Sequence, residues 1–410
     1  MELRNNRYFL GGVDMLKVCE EFDTPLYVYD ANKIVEQLNS LKEAFSGLKL
    51  RIKFAAKSLT NIAILKLLKR NGSELDAVSI QEAYLGLKAG FSPEQILFTP
   101  NCVSFQEIQE AVELGLTINI DNLNMLEEFG KKYSSSVPCC IRINPHIMAG
   151  GNHKISTGHI DSKFGISILQ LEEIKKNVEL YSLKVTGLHI HTGSDFLDAD
   201  AFLRGAEILF NTAKHFADLR FLDFGSGFKV AYKEGDLTTD IQELGIRLKS
   251  AFQAFCKDYG RELEIWFEPG KYIVSEAGYL LVKTNVVKTT PARVFIGVNS
   301  GLNHLIRPMM YDAYHDMVNI SHTEGDVKVY TIVGYICETD TLGWDRKMHE
   351  VRAGDIIAIK NAGAYGFSMS SNYNSRLRPA EVLIIEGQAK LIRKRETMED
   401  LVKNLVDVDI

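Results

Sequence analysis

The chain has 410 residues, of which 46% are hydrophobic and 24% are charged, and its formal net charge is −6. This composition is typical of a globular protein with a sizeable core, and it excludes disordered and collagen-like chains. The acidic balance, without any Lys/Arg-rich block, argues against nucleic-acid binding. No apolar run reaches the length of a transmembrane helix, the N-terminus lacks a secretory signal, and the six cysteines include no CxxC pair. We therefore expect a cytoplasmic protein with no membrane partner and no disulfide framework.

Between residues 31 and 275 a strand, a loop and an amphipathic helix recur. Helical spacing is clear in Ile62–Lys69 and Ile241–Tyr259, and Gly90 and Gly260 stand where helix C-terminal caps are expected. Eight such units predict parallel strands in a closed (β/α)8 barrel, with a doubly wound open sheet as the alternative. The predicted strands are Leu50–Ala56, Glu74–Val78, Gln95–Thr99, Thr117–Ile120, Cys139–Asn144, Lys184–His191, Phe221–Phe224 and Glu264–Glu268.

The pattern changes in residues 276–410, where strand-like segments alternate with short turns. This pattern of short strands and turns predicts a C-terminal antiparallel β domain. Residues 1–30 contain one further candidate strand, Leu26–Tyr29, which we expect to join that domain, and Thr397–Val406 is a candidate helix. The predicted strands are Tyr279–Val287, Arg293–Val298, Val327–Tyr335, Asp355–Lys360, Glu381–Ile385 and Gln388–Arg395.

Chemistry in a barrel lies on the loops at the carboxyl ends of its strands, so the residues there are the candidates for function. Lys57 lies just beyond the first predicted strand. The ordinary explanation is a surface lysine that extends its charge into solvent. The alternative is a Schiff-base lysine, whose amine becomes nucleophilic when it is desolvated.

Two further loops follow the seventh and eighth predicted strands. The turn Gly225-Ser226-Gly227 could bind a phosphate through its backbone N–H groups, or it could be a simple strand-to-helix turn. Neither a GxGxxG fingerprint nor a P-loop is present. Glu268, in the run Glu-Pro-Gly-Lys, could hold a proton on a cofactor ring nitrogen or be a solvated carboxylate.

The sixth predicted strand ends in His189 and His191, followed by Ser194. We expect His189 to be a hydrogen-bonded core residue and His191 to present its ring at the loop. No further ligands stand at a matching spacing, so no metal site is predicted. In the β domain Cys337 precedes Glu338, and it could be either a buried structural thiol or an acid.

Together these motifs resemble the fold-type III, alanine-racemase-like enzymes that use pyridoxal 5′-phosphate (PLP), and more narrowly the diaminopimelate decarboxylases. The resemblance covers nearly the whole chain. It is carried by Phe-Ala-Ala-Lys-Ser at 54–58, His-Thr-Gly-Ser at 191–194, Glu-Pro-Gly at 268–270, the segments around Arg307 and Tyr311, Ile-Cys-Glu-Thr-Asp at 336–340, and the run from Ala362 to Asn374.

The resemblance implies decarboxylation of meso-2,6-diaminopimelate to L-lysine and CO₂, the last step of lysine biosynthesis, by a homodimer with shared active sites. It implies that Lys57 forms a Schiff base with PLP, that His191 stacks on the ring, and that Cys337 donates a proton across the dimer interface. It further implies cofactor contacts from Ser194, Gly225, Gly227, Glu268, Gly270, Lys271 and Tyr365. The substrate contacts that it implies come from Lys271, Arg307, Tyr311 and Glu338.

The chain departs from the family pattern at two positions. Ser226 stands in the middle of a turn that is usually all glycine, and Lys271 stands where the family usually has arginine. Because lysine is a point charge and arginine grips a carboxylate with two parallel bonds, this change bears on how the distal end of the substrate is held.

Three other functions remain open. The first is a decarboxylase of ornithine, arginine or carboxynorspermidine, which a distal carboxylate site at Arg307 and Lys271 disfavours. The second is a racemase, which benefits from a cation rather than Glu268 at the ring nitrogen. The third is a non-catalytic PLP-binding paralogue, which would be expected to lose Cys337 or Arg307.

Overall fold

The structure is a computed structural model that describes residues 1–147, 158–197 and 199–410. In chain order its strands are β1 Glu2–Arg4, β2 Arg7–Leu10, β3 Val13–Asp14, β4 Leu26–Asp30, β5 Leu50–Ala55, β6 Glu74–Ala77, β7 Ile96–Phe98, β8 Thr117–Ile120, β9 Cys139–Asn144, β10 Ile166–Ser167, β11 Val185–Ile190, β12 Phe221–Asp223, β13 Glu264–Phe267, β14 Gly278–Thr289, β15 Val294–Val298, β16 Met317–Asn319, β17 Val327–Val333, β18 Thr341–His349, β19 Ile356–Ile359, β20 Ala380–Ile385 and β21 Gln388–Arg393.

The α-helices lie mostly between the strands of the first half of the chain. They are α1 Met15–Phe22, α2 Ala31–Ala44, α3 Ile62–Arg70, α4 Ile80–Ala89, α5 Phe105–Glu113, α6 Leu123–Tyr133, α7 Leu171–Leu180, α8 Ala199–Ala213, α9 Ile241–Tyr259, α10 Lys271–Val274, α11 Arg307–Tyr311 and α12 Met398–Val402. The chain divides into two compact units, one formed by Val35–Val230 with Leu237–Tyr272, and the other by Met1–Ile34, Ala231–Asp236 and Ile273–Ile410.

The first unit is built around a closed parallel barrel. Its strands follow the order β5-β6-β7-β8-β9-β11-β12-β13, and β13 pairs with β5 to close the ring, while the short β10 adds to β9. The predicted (β/α)8 barrel is therefore confirmed, and the open-sheet alternative is excluded. All residues of β9 and β11 are buried, as expected for strands covered on both faces.

Local signals set the ends of the barrel helices. Ser79 and Ser104 accept hydrogen bonds from backbone N–H groups in the first turns of α4 and α5. Gly90 and Gly260 end α4 and α9 in left-handed conformations, with φ of 97° and 76°. A residue with a Cβ is strained there, which is why glycine predicts these ends well.

A buried ionic and aromatic stack fills part of the barrel interior. Lys53 on β5 is fully buried, forms an ion pair with Glu74 at 2.7 Å, and lies 4.0 Å above the Trp266 ring. That ring stacks on Phe221 with a centroid separation of 3.5 Å. Because a buried ammonium is costly unless it is paired, the carboxylate and the ring face together stabilise Lys53 here.

The second unit is built around a sheet of nine strands, in which β14 lies between β15 and β4, and β20 follows β4. Most neighbours are antiparallel, as predicted, while β4 with β20 and β15 with β17 are parallel. Strands β16 and β18 were not predicted, because β16 has only three residues and β18 carries charged residues such as Asp345 and Arg346 within its run. Strands β1 to β3 form a separate small sheet. Among the helices of the described residues, none has the length and apolarity needed to cross a bilayer.

Candidate active site

Four barrel strands end in the residues that the sequence marks out. Lys57 lies in a short 3-10 turn directly after β5, His191 follows β11, Gly225 follows β12, and Glu268 follows β13. Because the strands are parallel and the barrel is closed, these four residues lie at the same carboxyl-terminal face. The Lys57 side chain is exposed at this face.

Glu268 is a nearly buried carboxylate, with 9% of its side chain exposed. Its Oε2 lies 3.3 Å from His189 Nε2, and its Oε1 has no hydrogen-bond partner among the described residues. Burial alone would raise the pKa of Glu268, but the contact with His189 and the positive charge of Arg142 outweigh burial and lower the pKa. Burial also lowers the pKa of His189, so Arg142 is the fixed positive charge that keeps Glu268 ionised near neutral pH.

Two further buried carboxyl groups surround Glu268, and the sequence did not single either out for a role. Burial first, and then the charge of Glu268, raise the pKa of both Asp76 and Asp223 well above the usual range. Asp223 Oδ1 accepts the backbone N–H of Gly225 at 2.9 Å, and the Thr99 hydroxyl donates to Asp76. Because the pKa of both neighbours is raised, Glu268 is the favoured carrier of the negative charge of this group.

The structure places His189 inside the barrel, as predicted for a core histidine. It is 1% exposed, and its Nδ1 lies 2.8 Å from the amide nitrogen of Asn119. Asn119 was also missed by sequence reasoning. The available signal was a polar residue within the otherwise apolar strand Thr-Ile-Asn-Ile, where every neighbour in the strand except its first residue is buried.

The loops after β11 and β12 approach each other closely. His191 Nδ1 accepts the backbone N–H of Ser226 at 3.2 Å. A Cβ at Gly225 would lie 2.5 Å from His191 Nδ1, and a Cβ at Gly227 would lie 2.1 Å from the carbonyl oxygen of Gly193. Both glycines have positive φ, 61° and 123°. No other residue type fits this pair of loops, and the turn therefore presents backbone rather than side chains.

The loop after β13 contacts both the lysine loop and the serine loop. A Cβ at Gly270 would lie 3.0 Å from Ser58 Oγ, so this glycine lies against the residue that follows Lys57. The Lys271 ammonium forms an ion pair with Asp195, the residue after Ser194, and the Lys271 side chain is 10% exposed. Asp195 has a φ of 63° and was not among the predicted site residues.

In the second unit, Arg307 lies among aromatic rings. Its guanidinium carbon is 5.6 Å from the ring centre of Tyr232 and 5.8 Å from those of Tyr311 and Tyr365. Its Nη2 donates to the Tyr232 hydroxyl at 3.2 Å, while its buried Nε has no partner among the described residues. Tyr365 holds a left-handed φ of 57°, which is uncommon for an aromatic residue. Tyr232 is a member of this cluster that the sequence did not indicate.

Cys337 and Glu338 form another cluster of the second unit. Cys337 is exposed, which excludes the buried structural thiol considered above. The Asn374 amide donates to Cys337 Sγ at 3.0 Å, and the Tyr373 hydroxyl donates to Glu338. Asp340 fixes the shape of the loop, because its carboxylate accepts the backbone N–H groups of Ile336 and Leu302 at 2.9 and 2.6 Å.

The donor set of the barrel face fits pyridoxal phosphate. The buried Glu268 Oε1 lacks the hydrogen-bond donor that a protonated ring nitrogen would supply. Lys57 offers a primary amine at the same face, and the Gly225–Gly227 turn presents backbone groups that could bind a phosphate.

Comparisons with known proteins agree with this fit. The chain matches the family model described as pyridoxal-dependent decarboxylase, pyridoxal binding domain, over residues 31–275. The diaminopimelate decarboxylase of Methanothermobacter thermautotrophicus is 37% identical over 404 residues, covering 96% of this chain and 94% of that relative.

Solved structures agree over the whole chain. Diaminopimelate decarboxylases from Helicobacter pylori and M. jannaschii, each complexed with L-lysine, have TM-scores of 0.87 and 0.91 and identities of 34% and 31%. They cover 95% and 99% of this chain, and 98% of each solved chain is covered. The chain thus belongs to the pyridoxal-dependent decarboxylases, and within them to the diaminopimelate decarboxylase family.

Proposed function

We propose that this protein catalyses the PLP-dependent decarboxylation of meso-2,6-diaminopimelate to L-lysine and CO₂, the last step of lysine biosynthesis. The observation that carries this proposal is the buried, ionised Glu268, whose Oε1 lacks a partner among the described residues, at the barrel face that also presents Lys57. The choice of substrate is supported by the family and by the L-lysine bound in the two solved relatives, since L-lysine is the product of this reaction.

PLP, when bound, acts as an electron sink for the electron pair that the departing carboxylate leaves behind. Lys57 supplies the amine that attaches the cofactor covalently. Glu268 Oε1 accepts the hydrogen bond of the ring N–H and so retains the proton on that nitrogen. A carboxylate suits this task, because its negative charge favours the protonated ring.

His191 would lie against the cofactor ring, and its own ring is held in one tautomer. Because its Nδ1 accepts the Ser226 N–H, its proton resides on Nε2. Burial, followed by the positive charges of Arg142 and Lys57, lowers the pKa of His191 well below its usual value, so the ring that stacks is neutral. A neutral ring avoids a second positive charge beside the protonated ring nitrogen.

The remaining barrel loops bind the phosphate group in this proposal. Ser194 offers a hydroxyl, and Gly225, Gly227 and Gly270 allow close approach of backbone. Lys271 lies next to them with its ammonium already paired to Asp195. The Lys271–Asp195 pair has a smaller net positive charge than an unpaired arginine would have. We therefore assign Arg307 as the principal cation that binds the distal carboxylate of the substrate.

The second unit supplies the substrate contacts and the proton. Arg307, Tyr311 and Glu338 bind the distal amino-acid end of the substrate, and Tyr365 contacts the cofactor. Cys337 Sγ–H would supply the proton that takes the place of the lost carboxylate, and a thiolate would remain at Sγ. The Asn374 N–H that already bonds to Sγ stabilises that thiolate.

The domain roles follow from these assignments. Residues 31–275 form the PLP-binding barrel, residues 276–410 carry the substrate and interface residues, and residues 1–30 join the β domain. We further propose a cytoplasmic homodimer in which Cys337 and Glu338 of one subunit complete the site around Lys57 of the other.

A panel of amino acids tests the proposed function. Purified holoenzyme is given meso-diaminopimelate, ornithine, arginine, lysine and carboxynorspermidine separately, and the released CO₂ and the amine product are measured. We expect CO₂ and L-lysine in equal amounts from meso-diaminopimelate and at least about 100-fold slower release from the others, because only the first has a distal carboxylate for Arg307. A preference for ornithine or arginine contradicts the proposal.

A further inference from the structure

Three buried polar side chains stand in line across the barrel. Asn119 lies on β8, His189 on β11, and Glu268 directly after β13. Asn119 and His189 are 2% and 1% exposed. The Asn119 amide nitrogen lies 2.8 Å from His189 Nδ1. His189 Nε2 lies 3.3 Å from Glu268 Oε2, which is within ion-pair distance but outside hydrogen-bond geometry. The chain ends at Glu268 Oε1, which has no partner among the described residues.

The two contacts of His189 fix where its proton lies. The amide N–H of Asn119 donates to Nδ1, so Nδ1 carries a lone pair and the ring proton resides on Nε2, which faces Glu268. The reverse arrangement, with the Asn119 oxygen toward Nδ1–H, would place the lone pair of Nε2 against the carboxylate of Glu268. Two acceptors that face each other inside a protein are strongly unfavourable.

From this geometry we propose that Asn119 is a positioning residue for the decarboxylation. Asn119 holds His189 in the Nε2–H tautomer. His189 in turn anchors Oε2 of Glu268, which leaves Oε1 directed at the cofactor ring nitrogen. The proposal rests on the proposed function through the role of Glu268, and it assigns the reason why two buried polar residues interrupt the apolar barrel strands.

The surrounding groups make such an anchor necessary. Asp223 shares the neighbourhood, since one ligating atom each of His189, Asp223 and Glu268 lies within 4.8 Å of the others. Asp223 Oδ2 also lacks a partner among the described residues. If His189 did not hold Oε2, the Glu268 carboxylate could turn toward Asp223 and away from the cofactor ring nitrogen. Arg142 and His191 also act electrostatically on Glu268, and Arg142 and Lys57 act on His189.

The first test needs no cofactor. The protein is labelled with ¹⁵N-histidine, freed of PLP, and its His189 signals are assigned by comparison with His189→Gln. We expect a neutral ring with the proton on Nε2 in the wild type, and a mixture of tautomers in Asn119→Leu. A proton on Nδ1, or an imidazolium at neutral pH, in the wild type overturns the proposal.

The second test uses the loaded enzyme and the ¹⁵N signal of the PLP ring nitrogen. Asn119→Leu keeps the side-chain volume and removes the donor, while His189→Gln keeps a donor toward Glu268 and His189→Leu does not. We expect kcat to fall about 10- to 100-fold in Asn119→Leu and His189→Leu, with KM within about twofold, and the ring nitrogen signal to move toward the unprotonated form. His189→Gln should recover most of the activity and of the signal.

Thr186→Val is the matched control. Thr186 is a buried polar residue on the same strand as His189, and its hydroxyl lies 3.5 Å from the Cys139 carbonyl oxygen, away from the Asn119–His189 line. We expect an unchanged ring nitrogen signal. If Thr186→Val moves that signal as far as Asn119→Leu does, the effect is general packing and the proposal fails. If Asn119→Leu does not fold, the tautomer in the wild type still decides.

Two outcomes separate this proposal from others. A wild-type ring nitrogen that is unprotonated would refute the proposed role of Glu268, while the His189 tautomer in the cofactor-free protein would still be read independently. The second outcome is a stoichiometric metal ion whose removal by EDTA changes the Nε2 signal of His189. It would show that His189, Asp223 and Glu268 ligate a metal. Because a metal takes the lone pair of Nε2, this result would overturn the proposed tautomer.

Discussion

The amide of Asn374 donates a hydrogen bond to the sulfur of Cys337 over 3.0 Å. Both side chains are exposed, and the adjacent Tyr373 makes the parallel contact with Glu338. A donor aimed at sulfur can stabilise the thiolate that remains after Cys337 has given up its proton.

Cys337→Ala should lower decarboxylation by about 100-fold or more, as expected when a general acid is removed. Asn374→Ala should lower it by about tenfold and should slow the alkylation of Cys337 at pH 7, because the thiolate loses a hydrogen bond to a charged group. The measurements are CO₂ release and alkylation rate against pH. Cys102 is the control, since it is also exposed and lies beside Asn101, and Cys102→Ala should leave turnover unchanged.

Subunit mixing tests whether active sites are shared. The variants Lys57→Ala and Cys337→Ala should each be nearly inactive alone. After random exchange of equal amounts, about half of the dimers are hybrids with one complete site each, so activity should return to about a quarter of the wild-type value. Mass spectrometry verifies that the subunits have exchanged. If activity does not return after verified exchange, Cys337 belongs to the site of its own chain.

Glu268→Gln should still bind PLP through the phosphate loops. Decarboxylation should fall by about 100-fold or more, because a neutral amide cannot hold the proton on the ring nitrogen. The wild-type rate should show no loss from protonation of Glu268 between pH 7 and pH 5, since the contact with His189 and the charge of Arg142 hold the pKa of this carboxyl below its usual value. Glu264→Gln is the control at the other end of the same strand, and it should stay within about twofold of wild type. Near wild-type turnover in folded Glu268→Gln would refute the assigned role.

A buried histidine should make stability depend on pH. His304 is fully buried, donates to the Leu377 carbonyl and contacts the Ser300 hydroxyl, and burial lowers its pKa to about 4. A folded pKa below the unfolded value of about 6.5 gives stability that is complete above pH 6.5 and is lost as the pH falls toward 4.

Urea unfolding checks this sign. Between pH 7 and pH 5 the wild type should lose about 2 kcal/mol more of its free energy of unfolding than His304→Gln does, because each pH unit below 6.5 costs about 1.4 kcal/mol for one such group. The exposed His215 provides the control, and His215→Gln should show the same pH dependence as the wild type. An equal pH dependence in His304→Gln would contradict the assignment.

Much of the fold was predictable because the barrel strands are short, apolar and bounded by turn residues. Thr117–Ile120 and Cys139–Asn144 have the same bounds in the sequence interpretation and in the structure. Strand β18 was missed because its exposed face carries charged residues and breaks the apolar pattern. Pairing with β17 stabilises β18 as a strand, although the sequence of β18 does not predict one.

Candidate site residues could be selected from the sequence only where they end a strand or belong to a recognisable motif. Lys57, His191 and Glu268 met those conditions. Asn119 and Asp195 did not meet them. Asn119 lies inside a strand, and Asp195 pairs with Lys271, which is 76 positions further along the chain. Such pairs depend on which strands become neighbours when the barrel closes, and spacing in the sequence carries no direct signal of that.

The most direct measurement is borohydride reduction of the holoenzyme followed by peptide mapping. Reduction fixes the cofactor on whichever amine holds it. The account predicts one labelled peptide per chain, with the label on Lys57, loss of the visible absorbance band, and no label in Lys57→Ala. A label on another lysine, such as Lys53 or Lys271, or a protein that takes up no PLP at all, would contradict the central claim.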